Sequence, residues 1–202
     1  MKPGLIGAFL TLLALWAPST HAADLAQPPA ASVPLHHIVQ TVNNCGPASV
    51  AEVLDYWGIH KTQFELKPVL RRGEALMNTD DVADYVDSLG MREFIANEGS
   101  QAVIKALIAN GFPVIVAQLV SSTSRYDHFR PIEAYSDEGQ YFVSSDPLLG
   151  DGYRISYQQF DALWGRYDRN FMVIYPPSRQ QQLDATLMSM HFNGPSWMTP
   201  FA

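Results

Sequence analysis

Cys45 is the only cysteine in the chain, and it directly precedes a strong helix signal. Apolar residues recur behind it at helical spacing, at Val50, Val53, Leu54 and Trp57. Unpaired backbone N–H groups and the positive end of the helix dipole favour a thiolate at such a helix start. Cys45 is therefore a candidate nucleophile, although an isolated cysteine is more often buried and inert.

A thiol nucleophile that hydrolyses an amide requires a base, a group that orients the base, and donors for the oxyanion. Gln40 lies five residues before the thiol, His128 begins a predicted strand, and Asp146 ends the next strand. Each has a simpler explanation by itself, because a glutamine can cap a helix, a histidine can be half-buried in a strand, and an aspartate can cap a turn. All four residues in this order, on elements that can converge, favour a catalytic set.

The strands that carry His128 and Asp146 are separated by a turn signal at residues 136–139, which predicts a hairpin. A loop of residues 137–139 would place Asp146 beside Arg130 and diagonal to His128, on one face of the sheet. An even-numbered loop without a bulge would place the two side chains on opposite faces. The proximity of His128 and Asp146 is thus conditional on the register of this hairpin.

The elements expected to position these residues change character along the chain. In the first half, helices are predicted after Cys45, after an N-cap at Thr79 and after an N-cap at Ser100. The stretch 59–77 is ambiguous, because Pro68 argues against one uninterrupted helix. The first half is therefore expected to be mainly helical.

Apolar runs rich in β-branched and aromatic residues predict strands in the second half. The predicted strands cover residues 113–120, 128–135, 140–146, 153–156 and 171–175, with a helical segment at 157–164. Pro131 cannot donate a ladder hydrogen bond, so it must lie at an edge, at a bulge, or with its nitrogen facing away from a partner strand. Helices followed by an antiparallel sheet predict an α+β fold.

Residues 1–22 have the pattern of a cleavable signal peptide, with Lys2 before an apolar run and a small-x-small site ending at Ala22. The run is too short to span a membrane comfortably, so the mature protein is not expected to be an integral membrane protein. We therefore expect an exported protein, either periplasmic or secreted.

The rest of the chain has the length of one domain, which we place at residues 33–177. Residues 23–32 are rich in Ala and Pro and predict a flexible leader. Residues 178–202 form a C-terminal extension, in which Leu183, Leu187 and Met190 have the spacing of a short helix.

The composition excludes several classes of partner and site. The chain has 13 Lys and Arg against 20 Asp and Glu, a net charge of −7 and no basic run, so nucleic acid is not an expected partner. One cysteine can form neither an internal disulfide nor a structural zinc cluster. No two histidines have the i, i+4 spacing of a zinc hydrolase, and the adjacent His36 and His37 point to opposite sides of a strand. We expect no metal and no other cofactor.

The pattern QxxxxCGPA at residues 40–48, followed by His128 and by Asp146-Pro147, resembles the papain-like cysteine peptidases that process bacteriocin leaders at a double glycine. The similarity extends over about residues 33–176. It implies a helical half that carries the cysteine and a sheet that carries the histidine and the aspartate. It also implies that Cys45 is the nucleophile, His128 the general base and acid, and Asp146 the orienting carboxylate. Gln40 and the backbone N–H of Cys45 would form the oxyanion hole.

The chain departs from this family pattern at two places. Asn44 stands where an aspartate often precedes the cysteine, which removes a nearby charge. After His128, the residues Phe129-Arg130-Pro131 replace the usual apolar strand, which affects the pairing around Asp146.

The main hypothesis is an exported thiol peptidase that cleaves a protein or peptide through a cysteine acyl-enzyme. An acyl transferase would use the same acyl-enzyme and resolve it with an amine or a thiol, and the sequence does not separate the two. A third alternative is a catalytically silent papain-like binding module, in which the apolar tail around Trp197 and Phe201 contacts a partner.

Overall fold

The computed structural model of the protein describes residues 28–73 and 77–192. The predicted signal peptide and the apolar tail around Trp197 and Phe201 lie outside these ranges. The α-helices within them are α1 (Cys45–Tyr56), α2 (Gln63–Leu70), α3 (Thr79–Ser88), α4 (Gln101–Ala109), α5 (Tyr157–Trp164) and α6 (Gln180–Ser189). The strands are β1 (Ala30–Ser32), β2 (Arg92–Ala96), β3 (Val114–Leu119), β4 (Asp127–Ser136), β5 (Tyr141–Asp146), β6 (Gly150–Ser156) and β7 (Phe171–Tyr175).

The strands form one antiparallel sheet in the order β2-β7-β3-β4-β5-β6, and β1 pairs with β4. Helices cover both faces of its central strands. Alternate residues of β3 enter two cores, since Val114 and Val116 pack with α4 and α5, whereas Ile115 packs with α1, α2 and α3. Burial on both faces explains why β3 reads as an unbroken apolar run. The predicted α+β fold, with the cysteine in the helical half and the histidine and aspartate in the sheet, is confirmed.

The helix α1 holds its first residue, Cys45, in a fixed position. The helix ends before Gly58, whose φ of +81° lies in the left-handed region that is common for the residue after a helix. Residues 50–54 are completely buried. Gly46 allows α1 to approach the segment after α2, because a Cβ at this position would lie 2.7 Å from the Met77 side chain.

The first half differs from expectation at two points. A short strand, β2, lies between α3 and α4 and pairs with β7, so this half is not purely helical. The N-cap of α3 is Asn78, whose side chain accepts the N–H of Asp80 at 2.9 Å, and Thr79 is the first helical residue. As Pro68 predicts, the stretch after α1 is not one uninterrupted helix, because α2 covers only Gln63–Leu70 and has Pro68 inside it.

Segments that the sequence assigns to the leader and to the C-terminal extension belong to the folded unit. Ala30–Ser32 form β1 against the end of β4. The helix α6 lies in the extension, and its Leu183 and Leu187 are buried in the same core as α4. Among the helices of the described ranges, none is long and apolar enough to cross a membrane.

The loop of the β4–β5 hairpin covers residues 137–140, because Ser136 pairs with Tyr141. It is one residue longer than the three-residue alternative. Without a compensating irregularity, this even-numbered loop would put His128 and Asp146 on opposite faces of the sheet.

A bulge in β4 provides the compensation. The register shifts between Ile132 and Ala134, so that Ile132 pairs with Ser144. Continued for two more residues, this register would bring Arg130 opposite Asp146, and the two side chains are in contact at 3.2 Å. The bulge therefore produces the pairing that the odd-numbered loop predicts, and His128 and Asp146 share one face.

Candidate active site

Cys45, His128 and Asp146 come together where α1 meets β4 and β5. Nε2 of His128 lies 2.9 Å from Oδ1 of Asp146. This contact leaves the other ring nitrogen, Nδ1, for the thiol of Cys45, with which His128 shares a hydrogen bond. Ser49 donates to the carbonyl of Phe129 at 3.2 Å and so ties α1 to β4 beside the histidine. The structure thus connects a thiol, an imidazole and a carboxylate in one chain of contacts.

The electrostatics of Cys45 and His128 favour a thiolate–imidazolium pair. Burial opposes ionisation of the thiol, but the hydrogen bond and charge of His128, with the backbone N–H groups of Phe129 and Gly46, lower the pKa of Cys45. Burial also disfavours the imidazolium, but Asp146 and Cys45 outweigh it and raise the pKa of His128. The two pKa values move toward each other, which favours proton transfer from sulfur to nitrogen.

Asp146 remains a carboxylate although it is fully buried. Its Oδ1 accepts the backbone N–H groups of Leu148 and Leu149, each at 2.9 Å. Burial by itself would raise the pKa of Asp146, but the hydrogen bond and charge of His128, together with the charge of Arg130, hold it below its usual value. An ionised Asp146 can stabilise the imidazolium of His128 and fix the orientation of the ring.

Arg130 is the second partner of Asp146. This arginine is fully buried, and its Nε lies 3.2 Å from Oδ2 of Asp146. Its Nη2 donates to the carbonyl of Val120 at 3.1 Å, and its guanidinium lies 5.5 Å from the centre of the Tyr153 ring. The departure from the family pattern after His128 therefore places a compensating positive charge beside the orienting carboxylate.

Gln63, at the start of α2, fixes the loop that leads into Cys45. Its Oε1 accepts the N–H of Thr41 and the side-chain amide of Asn44, both at 2.7 Å, and its Nε2 donates to the carbonyl of Val39 at 2.8 Å. Asn44 acts here as a donor, which an aspartate could not do. The departure from the family pattern at Asn44 is thus matched by its partner Gln63.

Gln40 lies at an open cleft of about 710 Å³, together with Cys45 and His128. Its backbone N–H donates to the carbonyl of Pro147 at 2.9 Å, which holds the loop against the turn that follows Asp146. Gln40 therefore lines the same cleft as the thiol of Cys45. Three largely exposed apolar residues also line the cleft, namely Val42, Tyr126 and Leu148.

Two residues of the site were missed by sequence reasoning, Gln63 and Glu52. Glu52 is fully buried in α1 and contacts the segment before Gln40. A signal for Glu52 exists in the sequence, because Cys45, Ser49 and Glu52 have the i, i+4, i+7 spacing of one helix face. No comparable pattern marks Gln63.

Within residues 28–73 and 77–192, no group of three His, Cys, Asp or Glu side chains could hold a metal ion. His36 and His37 contact different carboxylates, at 3.5 Å from Asp55 and 3.6 Å from Glu52.

Comparison with known proteins gives one family match. The sequence model of the Peptidase_C39 like family matches residues 31–172. No curated protein sequence matches the chain significantly.

Several solved structures have the same fold at low sequence identity. A double glycine motif protease from an AMS/PCAT transporter, solved with its leader peptide, is 20% identical with a TM-score of 0.56, over 72% of this chain and 94% of that chain. The peptidase domain of Streptococcus ComA, a bi-functional ABC transporter, is 17% identical with a TM-score of 0.56, over 69% and 97%. Xylellain, a cysteine protease from Xylella fastidiosa, is 12% identical with a TM-score of 0.58, over 80% and 90%.

Proposed function

The chain belongs to the Peptidase_C39-like family and is a papain-like cysteine peptidase; we propose that it is exported and cleaves a protein or peptide through a Cys45 acyl-enzyme. The observation that carries the proposal is the chain of contacts from Cys45 through His128 to Asp146 beside an open cleft. The signal-peptide pattern of residues 1–22 supports action outside the cytoplasm.

In the proposed acylation step, the thiolate sulfur of Cys45 attacks the carbonyl carbon of the scissile amide. The backbone N–H of Cys45 and the side-chain amide of Gln40 donate to the oxyanion that forms. The imidazolium of His128 gives its proton to the leaving nitrogen, the C–N bond breaks, and a free amine leaves. The acyl group remains on Cys45 as a thioester.

In the proposed deacylation step, the now neutral His128 takes a proton from a water molecule, whose oxygen attacks the thioester carbon. The C–S bond breaks, a carboxylic acid leaves, and the thiolate–imidazolium pair is restored. Asp146 keeps its charge throughout and holds the imidazole in a fixed orientation. Arg130 balances this buried negative charge.

The cleft favours a polypeptide segment as substrate. Val42, Tyr126 and Leu148 are exposed by 84%, 77% and 50%, and all three line the cleft beside Cys45. Exposed apolar side chains around a catalytic group form contacts for apolar parts of a ligand. The AMS/PCAT double glycine motif protease was solved in complex with a leader peptide, which supports a peptide as the substrate. We propose a peptide with an apolar side chain near the scissile bond.

The reactivity of the single thiol tests the proposed function without knowledge of the substrate. The rate of alkylation by iodoacetamide, measured against pH by intact mass, should show a midpoint clearly below the ordinary thiol value of about 8.5. His128→Gln should move the midpoint back toward that value, because the imidazolium that stabilises the thiolate is lost. A wild-type midpoint near or above the ordinary value would contradict an activated nucleophile and favour a silent binding module.

Gln40→Ala should lower kcat by roughly 10²- to 10³-fold, as expected for loss of one oxyanion donor. The alkylation midpoint of Cys45 should not change, because Gln40 acts after the thiolate has formed. Val39→Ala is the matched control, since Val39 directly precedes Gln40 on the same loop, is 70% exposed and does not line the cleft. Equal kcat values for the two variants would remove Gln40 from the oxyanion hole.

A further inference from the structure

Glu52 is a buried acid that the catalytic steps do not use. It lies in α1, seven residues after Cys45, and its side chain has no exposure to solvent. A buried ionised carboxylate is costly unless charges or several donors compensate it. The surroundings of Glu52 show whether its carboxyl group is protonated and which segments it contacts.

The carboxyl group of Glu52 contacts two segments that carry other site residues. Its Oε1 accepts the backbone N–H of Ile38 at 2.8 Å, two residues before Gln40. The hydroxyl of Ser145, which directly precedes Asp146, also hydrogen-bonds with the carboxyl group. Glu52 therefore joins the helix of the nucleophile to the loop of the oxyanion donor and to the strand of the orienting carboxylate.

The partly buried His37 completes this network. Its Nδ1 lies 3.1 Å from Oγ of Ser145 and 3.6 Å from Oε1 of Glu52. The other charged groups that act on Glu52 are the acidic side chains of Glu133 and Asp146. Its Oε2 finds no hydrogen-bond donor in the described part of the chain, so an ionised form would leave a charged oxygen unpaired.

These surroundings keep Glu52 neutral at physiological pH. Burial is the largest effect, the charges of Glu133 and Asp146 add to it, and the hydrogen bonds from Ile38 and Ser145 oppose it. Together they raise the pKa of Glu52 to about 8. A neutral acid can hold its partners without placing a second negative charge beside Asp146.

We infer that Glu52 is a positioning residue, which as a neutral acid holds the Gln40 loop and the Asp146 strand in place relative to Cys45. It touches neither the thiol nor the substrate cleft and acts through Ile38 and Ser145. Its consequence for activity rests on the proposed function, because the groups it positions are the proposed oxyanion donor and the proposed orienting carboxylate.

Alkylation of Cys45 by iodoacetamide in Glu52 variants tests the positioning role. Glu52→Ala removes the contacts of the carboxyl group with Ile38 and Ser145, and Glu52→Asp has a side chain too short to make them both. Asp146 then orients His128 less well, so the pH midpoint of Cys45 alkylation should rise by about half a pH unit or more. Glu52→Gln keeps a neutral acceptor for Ile38 and should retain the wild-type midpoint. Asp55→Asn is the matched control, since Asp55 is a partly exposed acid of the same helix. It should also retain the midpoint.

Thermal unfolding tests the protonation of Glu52 independently of the thiol. The pKa of this acid is about 8 in the folded protein against an ordinary value of 4.5. It therefore contributes stability that is fully present below the ordinary value and is lost as the pH rises through the folded value. Between about pH 5 and pH 8, the Tm of the wild type should fall more than the Tm of Glu52→Gln.

The outcomes separate this inference from the proposed function. The positioning role would be overturned if Glu52→Ala and Glu52→Asp both kept the wild-type pH midpoint of Cys45 alkylation. It would also be overturned if the midpoint of Glu52→Gln rose as much as those of the other two variants. Equal changes of Tm with pH would overturn the neutral acid. If Glu52→Ala does not fold, the comparison of Glu52→Asp with Glu52→Gln decides. An ordinary midpoint in the wild type would instead contradict the proposed thiolate, and with it the proposed function.

Discussion

Replacing Cys45 with alanine is expected to abolish peptide cleavage and to leave the fold intact. The sulfur of Cys45 is the atom that bonds to the acyl group, and the sequence has no second cysteine that could replace it. Turnover should therefore fall by roughly 10⁵-fold or to the background rate. Cleavage is measured by the appearance of product peptides, and folding by circular dichroism and Tm.

The fold should tolerate this substitution because alanine removes only the sulfur atom and α1 stays anchored by its other residues. Cys45 is 9% exposed and lies at the edge of the core beside the cleft, whereas residues 50–54 are completely buried. Cys45→Ser is a second variant of nearly the same size and should be equally inactive, because a serine hydroxyl is far less acidic than a thiol. Cleavage that persists in either variant would show that another group is the nucleophile.

Asp146→Asn is expected to cause the largest loss of stability among the site variants. The amide keeps the shape of the side chain but leaves the fully buried Arg130 without its counter-ion. Removing one partner of a buried ion pair costs roughly 3–5 kcal/mol of the free energy of unfolding. Urea unfolding measures this loss. The value of kcat/KM should fall on the order of 10²-fold, since the base loses its orienting carboxylate.

The double variant Asp146→Asn with Arg130→Met separates the two effects. Methionine removes the buried charge, so part of the lost free energy of unfolding should return. Activity should not return, because His128 still lacks its carboxylate. If Asp146→Asn alone is as stable as the wild type, Arg130 does not depend on Asp146 for compensation.

The position of the nucleophile could be predicted because it depends on local signals. Apolar periodicity and a glycine stop define α1, and the helix begins at Cys45 as these signals predict. The types and order of Gln40, His128 and Asp146 predict the rest of the set. In the structure, Gln40 and His128 line the cleft with Cys45, and Asp146 contacts His128. Local sequence thus provides the chemistry and the elements that carry it.

The register of the β4–β5 hairpin could not be predicted from loop signals. A loop with an odd number of residues puts His128 and Asp146 on the same face of the sheet, and an even-numbered loop without a bulge puts them on opposite faces. The sequence does not show that a bulge in β4 brings them to the same face despite the even-numbered loop. Pro131 indicates an irregularity, and it lies in a central strand, directly before the residue at which the register shifts. Its missing N–H is consistent with the bulge but does not determine the register.

The burial of two charged side chains escaped prediction, because burial is a property of the packed fold. One register of the hairpin predicts Arg130 beside Asp146, but the sequence does not show that this arginine is completely buried. Glu52 reads as a solvated helix residue until Ile38 and Ser145 are seen around it. Neither side chain lines the cleft.

Digestion of a peptide library, with products identified by mass spectrometry, tests most directly whether the chain is a peptidase that acts through Cys45. The wild type should create new carboxyl and amino termini in water, and Cys45→Ala should create none. Capture of the acyl group by an added amine in preference to water would show a transferase. The absence of new termini with the wild type, or the same termini with Cys45→Ala, would contradict hydrolysis through a Cys45 acyl-enzyme.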